Sequence, residues 1–297
     1  GKNFKPRRTV RAAHPAAPAT LSTIGSGAVV APTAEAAELD CRAAVIGINP
    51  ANKLITRNVQ DNKVVQQKRT SSPLPYKVIQ LGFLGGAPIE GGWKDTFAAI
   101  AKDGRPRALN ITDREGSNAL KHSSTRMLNE NFAPRLFTTS GGFHVFALDS
   151  QNRLQRLTTY RNDSGRLFFD DGRVALKRMG GLKTLSFYKR QKIDGVKTDI
   201  LYATTKAGAL KQIRVPVRRP GNARVLTVRR SGFAHFTGLS LGRCDNDFSK
   251  VLVIGISKPR NVARSYVLTR ALRPRAANLT DLGRVDKRYD WKLHATL

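Results

Sequence analysis

The chain predicts an all-β fold assembled from a repeated four-stranded unit. Three observations carry this: a ten-residue pattern recurring at a steady interval, a second apolar element ahead of each copy, and short alternating runs after it. The pattern reads VIGINPANKL from Val45, VFALDSQNRL from Val145, LYATTKAGAL from Leu201 and VIGISKPRNV from Val253, with a looser copy, AAIAKDGRPR, from Ala98. Each copy is a β-prone apolar run followed by a polar turn, and all but the loose one close on an aliphatic residue. Successive starts lie 47–56 residues apart, the period of a strand-built propeller blade. The expected architecture is therefore a five-bladed β-propeller with about four short antiparallel strands per blade. Val45–Ile48, Ala98–Ala101, Val145–Leu148, Leu201–Thr204 and Val253–Ile256 should occupy equivalent positions.

Each remaining element has its own signal. Ahead of the ten-residue windows, large apolar residues recur near three-residue intervals: Tyr76, Val78 and Leu81; Phe132, Leu136 and Phe137; Leu182, Leu185 and Phe187; Phe233, Phe236 and Leu239. After the windows come alternating runs such as Lys211–Val215 and Arg224–Val228, separated by Pro216, Pro220 and Gly221. Trp291–Leu297 looks like an upstream element with nothing behind it. Pairing it with Ala43–Ile48 would close the ring from both chain ends and remove exposed sheet edges.

Two segments carry a family resemblance. Gly232-Phe233-Ala-His-Phe236-Thr-Gly-Leu239-Ser-Leu-Gly242, and Leu201-Tyr-Ala-Thr-Thr-Lys-Ala-Gly208-Ala-Leu210, resemble the glycine/aromatic element and the following strand of tachylectin-like propellers. The resemblance spans about residues 41–297 and is sharpest near 180–260. It implies five blades and sugar binding in pockets between them. The tryptophan usual in that element is Phe233 in this chain, and the other copies lack the Gly-Trp pair.

Residues 1–37 differ from the rest. Lys2, Lys5, Arg7, Arg8 and Arg11 precede a mildly apolar Ala-rich stretch and Ala34-Glu35-Ala36, the order of a secretory signal with an A-x-A cleavage site. Arg7-Arg8 resembles the twin-arginine form of exported actinobacterial proteins. The rival reading is an organellar transit peptide, since the segment is Arg-rich and acid-poor. Either way residues 38–297 form the folded domain, and the expected location is secreted or cell-surface. The segment is too short and polar for a transmembrane helix. Cys41 and Cys244 each stand a few residues before a repeat strand, in copies that ring closure would make neighbours, and are expected to form a disulfide.

Charge bounds the partners. Fifty-two Lys and Arg against 21 Asp and Glu give +31, and removal of residues 1–37 takes five positive charges and one negative, leaving +27. A field of that sign concentrates polyanions. No catalytic or metal motif stands out. His122, His144, His235 and His294 lie apart, with no H-E-x-x-H. Asp170-Asp171 precedes a glycine and reads as a hairpin turn, and Asp245-Asn-Asp247 lacks the downstream Gly and Glu of an EF-hand loop. The candidate ligand-binding residues are Trp93, Phe233, His235 and Trp291, because large aromatics stack on sugar faces. The leading function is a non-catalytic, exported, monomeric binding module for a glycan or an anionic wall polymer, without cofactor or metal. The alternatives are a nonspecific polyanion or nucleic-acid binder and a propeller-type hydrolase.

Overall fold

A computed structural model of the chain describes residues 40–129, 132–245 and 247–297. The signal-like segment expected over 1–37 lies outside the described residues. The fold is all-β. Three strands come first: β1 (Cys41–Ile48), β2 (Leu54–Gln60) and β3 (Lys63–Thr70). A four-strand meander follows: β4 (Val78–Ile89), β5 (Gly92–Ala101), β6 (Pro106–Arg114) and β7 (Ala119–Arg126). The third unit is β8 (Leu136–Thr139), β9 (His144–Leu148), β10 (Leu154–Arg161) and β11 (Leu167–Leu176). The fourth is β12 (Leu182–Ile193), β13 (Val196–Thr205), β14 (Leu210–Pro216) and β15 (Arg224–Arg229). The fifth is β16 (Gly238–Cys244), β17 (Asp247–Ser257), β18 (Val262–Leu268) and β19 (Leu279–Arg284).

The ten-residue pattern is the strand–turn–strand core of each unit. Its apolar half forms β1, β9, β13 and β17, and in the loose copy the end of β5. A residue with positive φ then reverses the chain: Asn52 (58°), Gly104 (75°), Asn152 (59°), Gly208 (96°) and Asn261 (50°). Asn and Gly are the residues that tolerate this conformation. In each turn the amide of that residue donates to the carbonyl three residues back, for instance Asn152 to Asp149 at 3.1 Å and Gly208 to Thr205 at 2.9 Å. The turn also docks what comes next. The carbonyls of Asn52, Asn152 and Gly208 accept from the amides of Leu74, Met179 and Phe233 at 2.8, 2.8 and 2.9 Å. The apolar segments ahead of the Ala98, Leu201 and Val253 windows are thus held down by the preceding turn, and Leu74 and Phe233 are buried.

The closed ring of five separate blades is not what forms. Hydrogen bonding continues from unit to unit: β1 pairs antiparallel with β16 through Cys41↔Cys244 and Arg42↔Arg243, and β3 pairs parallel with β7 through Arg69↔Ala119 and Thr70↔Leu120. Eleven strands therefore share one mixed sheet in the order β19-β18-β17-β16-β1-β2-β3-β7-β6-β5-β4, and β8–β11 and β12–β15 form two four-stranded sheets. The physical reason lies in the first unit. It has three strands, and the backbone groups on both of its edges take partners from neighbouring units. The C-terminal segment supplies no fourth strand. It makes an isolated bridge, His294 to Ile48.

The core is divided between the units. Ala98, Ile100, Ala108, Phe137, Val145, Leu167 and Phe169 pack together between the second and third units. Phe233, Phe236 and Tyr266 belong to a second cluster, and Cys41, Cys244 and Trp291 to a third. Cys41 and Cys244 are joined by a disulfide across the β1–β16 pair, with Cα atoms 3.9 Å apart. No helix among the described residues is long and apolar enough to cross a membrane.

Candidate functional site

A groove of about 820 Å³ lies between the second and third units. Strand alternation decides which side chains face it. On β5, Lys94 and Thr96 share a face with Ala98, whose methyl packs in the core between these units. Thr96 Oγ1 donates to Asn110 Oδ1 at 2.8 Å across the β5–β6 ladder, so the pair forms a polar floor. On the opposite wall Arg161 is the cross-strand partner of Leu167, which lies in the same core. Arg166 reaches over the groove: its Nε and Nη2 donate to the Arg126 carbonyl at 3.4 and 3.2 Å. Arg161 Nη1 donates to the Gly165 carbonyl at 2.8 Å, which fixes that guanidinium beside the β10–β11 turn.

The electrostatics of this groove are one-sided. Lys94, Arg161 and Arg166 take part in no ion pair among the described residues, and no Asp or Glu lines the groove. Acidic side chains are scarce, and the fold spends them elsewhere. Lys68 is bound to Asp113 at 2.7 Å, Arg107 to Asp103 at 2.9 Å and Arg190 to Asp199 at 2.7 Å. Lys94, Arg161 and Arg166, with Arg126 also in the lining and in no ion pair among the described residues, attract an oxyanion, and a walled site focuses that field more than a flat surface does. Arginine adds planar N–H pairs that match carboxylate, sulfate or phosphate oxygens. Hydroxyls and amides at Thr96, Asn110, Thr125 and Ser164 complete a lining suited to a hydroxylated, anionic ligand.

Two glycines shape the groove edge. Gly142 has φ +112°, and a Cβ there would stand 2.3 Å from the Leu84 carbonyl oxygen. Only a bare backbone lets the β8–β9 turn approach β4 this closely. Gly142→Ala is expected to lose about 1–3 kcal/mol of stability, the usual cost of a residue forced into a sparsely populated backbone region. A thermal melt checks it, and an unchanged melting temperature would mean that the turn relaxes without cost. Gly86 plays a different part, described below with Trp93.

The expected aromatic site residues are not brought together. Phe233 is fully buried, its ring 5.5 Å from Phe236 and 4.9 Å from Tyr266, so it presents no stacking face. Trp291 is also fully buried, in a different cluster, with Arg57 stacked over its ring at 4.8 Å. His235 is half-buried against Phe236, 4.0 Å between centroids. Burial, with Arg260, Lys183 and Arg264 nearby, pulls its pKa below the ordinary imidazole range. Trp93 is 44% exposed, but on the face of β5 opposite to Lys94 and Thr96. Tyr160, at the groove rim, stacks on Phe168 at 5.5 Å on the outer face of its hairpin.

The remaining histidines do not build a catalytic constellation with one another. His144 Nδ1 lies 3.0 Å from Asp199 Oδ2 and 2.8 Å from Arg190 Nη2. Burial alone would raise the Asp199 carboxyl, yet the His144 and Arg190 hydrogen bonds hold it below the usual carboxylate range. This is a structural ion cluster between the third and fourth units. His122 bonds Ser72 at 2.9 Å, and His294 sits in its bridge to β1. Asp245 and Asp247, the oxygen pair weighed for calcium, both lie near Lys250, at 3.1 and 3.9 Å.

Sequence reasoning missed Lys94, Arg161 and Arg166. The signal was partly there: Lys94-x-Thr96-x-Ala98 alternates on one strand, and Arg161–Arg166 brackets a turn. Their meeting depends on packing between units more than 60 residues apart in sequence.

No family model matches this chain, and no curated protein matches it either. Among solved structures, AofleA from Arthrobotrys oligospora is similar at 14% identity with a TM-score of 0.42, over 77% of this chain and 69% of that one. A triple arginine-to-alanine mutant of the same protein gives 13% identity and a TM-score of 0.45 over the same shares. Likeness at that level leaves function to be read from the residues themselves.

Proposed function

We propose that this chain is a non-catalytic binding module for an anionic glycan or wall polymer, held in the groove between the second and third units. One observation carries the reading: Lys94, Arg161 and Arg166 surround a groove of about 820 Å³ in which no carboxylate answers them. A glycan bearing carboxylate, sulfate or phosphate groups supplies the missing charge, and its hydroxyls match the Thr96–Asn110 floor. The lining contains no carboxylate pair of the kind that glycoside hydrolysis uses, which supports binding over hydrolysis of a glycan. Export fits the disulfide, because oxidising compartments are where such bonds persist. It also fits the basic, apolar and A-x-A order of residues 1–37.

The test is a binding panel at physiological salt: a polyuronate, a sulfated glycan, a phosphodiester wall polymer, a neutral glucan and single-stranded DNA. The expected result is saturable binding to at least one acidic glycan or wall polymer that exceeds binding to DNA of equal charge density. Equal affinity for DNA would instead mark a nonspecific polyanion binder driven by net charge. Absence of binding to every acidic polymer would end the proposal.

A further inference from the structure

The face of the second unit that turns away from the groove carries a different kind of surface. Trp93 is one of two tryptophans in the chain and, with 44% of its surface exposed, the accessible one, since Trp291 is fully buried. Its ring is held in place. The indole Nε1–H donates to Asp95 Oδ1 at 2.8 Å on the same strand face. Gly86 lies directly across the ladder from Asp95, and a Cβ there would stand 2.4 Å from Asp95 Oδ1 and 2.5 Å from Trp93 Nε1. The indole and the carboxylate therefore rest on bare glycine backbone. A ring fixed by packing and a hydrogen bond loses little freedom on meeting a ligand.

The polar groups beside the ring decide what it can hold. Asp113 is the cross-strand neighbour of Trp93, and both of its carboxylate oxygens are bound by Lys68 Nζ, at 2.7 and 2.9 Å. Its charge is therefore answered. Burial pushes the Asp95 carboxyl above its ordinary range, and the Asp113 charge adds to that rise against the indole hydrogen bond. The patch thus offers a flat apolar face with acceptor oxygens at its side, and the Asp113 charge is paired with Lys68. An anion would meet Asp95 and Asp113, and an ammonium ligand, which an indole face alone can attract, would find the Asp113 carboxylate already taken by Lys68. An uncharged pyranose suits it: its C–H face stacks on indole and its hydroxyls donate to carboxylate oxygens.

We propose that Trp93, flanked by Asp95 and Asp113, is a saccharide platform for an uncharged pyranose, separate from the cationic groove on the opposite face of β5. Trp93, Asp95 and Asp113 do not line the groove, so the two sites can fail independently.

Tryptophan fluorescence tests it directly, because Trp291 is shielded and Trp93 is open. The full chain is titrated with neutral cello-, malto- and chito-oligosaccharides and, separately, with choline. The expected result is that at least one neutral oligosaccharide changes the emission saturably and protects Trp93 from acrylamide quenching. By calorimetry, Trp93→Ala should then weaken that sugar by at least about tenfold, about 1.4 kcal/mol. Lys94→Ala/Arg161→Ala should leave it unchanged. Circular dichroism of Trp93→Ala confirms the fold, and Trp93→Phe should restore part of the affinity. The proposal is overturned if none of the neutral oligosaccharides protects Trp93, if choline protects it and they do not, or if Trp93→Ala binds as well as the parent.

Discussion

Removing the Cys41–Cys244 crosslink is expected to lower the melting temperature by on the order of 10 °C while leaving the strands folded. The bond closes a span of 203 residues, and chain-entropy reasoning assigns such a loop about 5 kcal/mol, an upper figure for measured crosslinks. Its position matters as much as its loop length. β1 and β16 pair through only two residue pairs, and one of them is the cystine itself. Asp40 adds two contacts, its carbonyl accepting from the Asp245 amide at 2.6 Å and its amide donating to Asp245 Oδ1 at 3.0 Å. Reduction therefore loosens the junction that joins the three-stranded first unit to the fifth. The packing of Val45, Ile254, Ile256 and Trp291 remains and should keep the fold. Cys41→Ser/Cys244→Ser melted beside the reduced parent checks this. Equal melting temperatures for oxidised and reduced protein would show that the junction is held by packing alone.

Trp291→Ala is expected to cost about 3–5 kcal/mol, the usual loss for a large buried aromatic. The indole is fully buried, and its Nε1–H donates to the Asp286 carbonyl at 3.1 Å. Its backbone amide donates to Asn261 Oδ1 at 2.6 Å, the side chain of a turn residue. Arg57 covers the ring and is itself buried, donating to the Asp290 carbonyl and to Gln67 Oε1, both at 2.6 Å. Alanine would leave a cavity and strip the guanidinium of one of its two aromatic partners, leaving Tyr289 at 5.2 Å, and the loss matters because burial already lowers the Arg57 pKa. Trp291→Phe keeps part of the packing and loses the N–H, so its cost should fall between parent and alanine. Denaturant unfolding with a common slope measures both. A loss below about 1 kcal/mol for alanine would mean that the C-terminal segment is dispensable.

Much of the fold was legible because local rules wrote it. Strands announce themselves by alternation, and Asn52, Asn152 and Asn261 with Gly104 and Gly208 mark the reversal in every unit. The joins between units were not legible. The β1–β16 and β3–β7 pairings involve two residue pairs each, too few to leave a periodic trace, yet they merge three units into one sheet. Phe233 shows the limit for site residues. An aromatic three positions before another reads alike whether it faces a cleft or a core, and here both Phe233 and Phe236 pack on Tyr266. Trp93 was singled out as an aromatic, but its strand face, and hence its separation from Lys94, required the packing of Ala98 and Phe97 into different clusters.

The measurement closest to the central claim is the salt dependence of affinity for an acidic glycan, comparing the parent with Lys94→Ala/Arg161→Ala/Arg166→Ala. These side chains are exposed at the groove, so the fold should survive their removal. With about 1 kcal/mol for each exposed cation–oxyanion contact, the triple variant should bind on the order of 100-fold more weakly, and its affinity should fall less steeply with salt. A variant that keeps the parent's affinity and salt slope would show that the groove is not where the polymer binds.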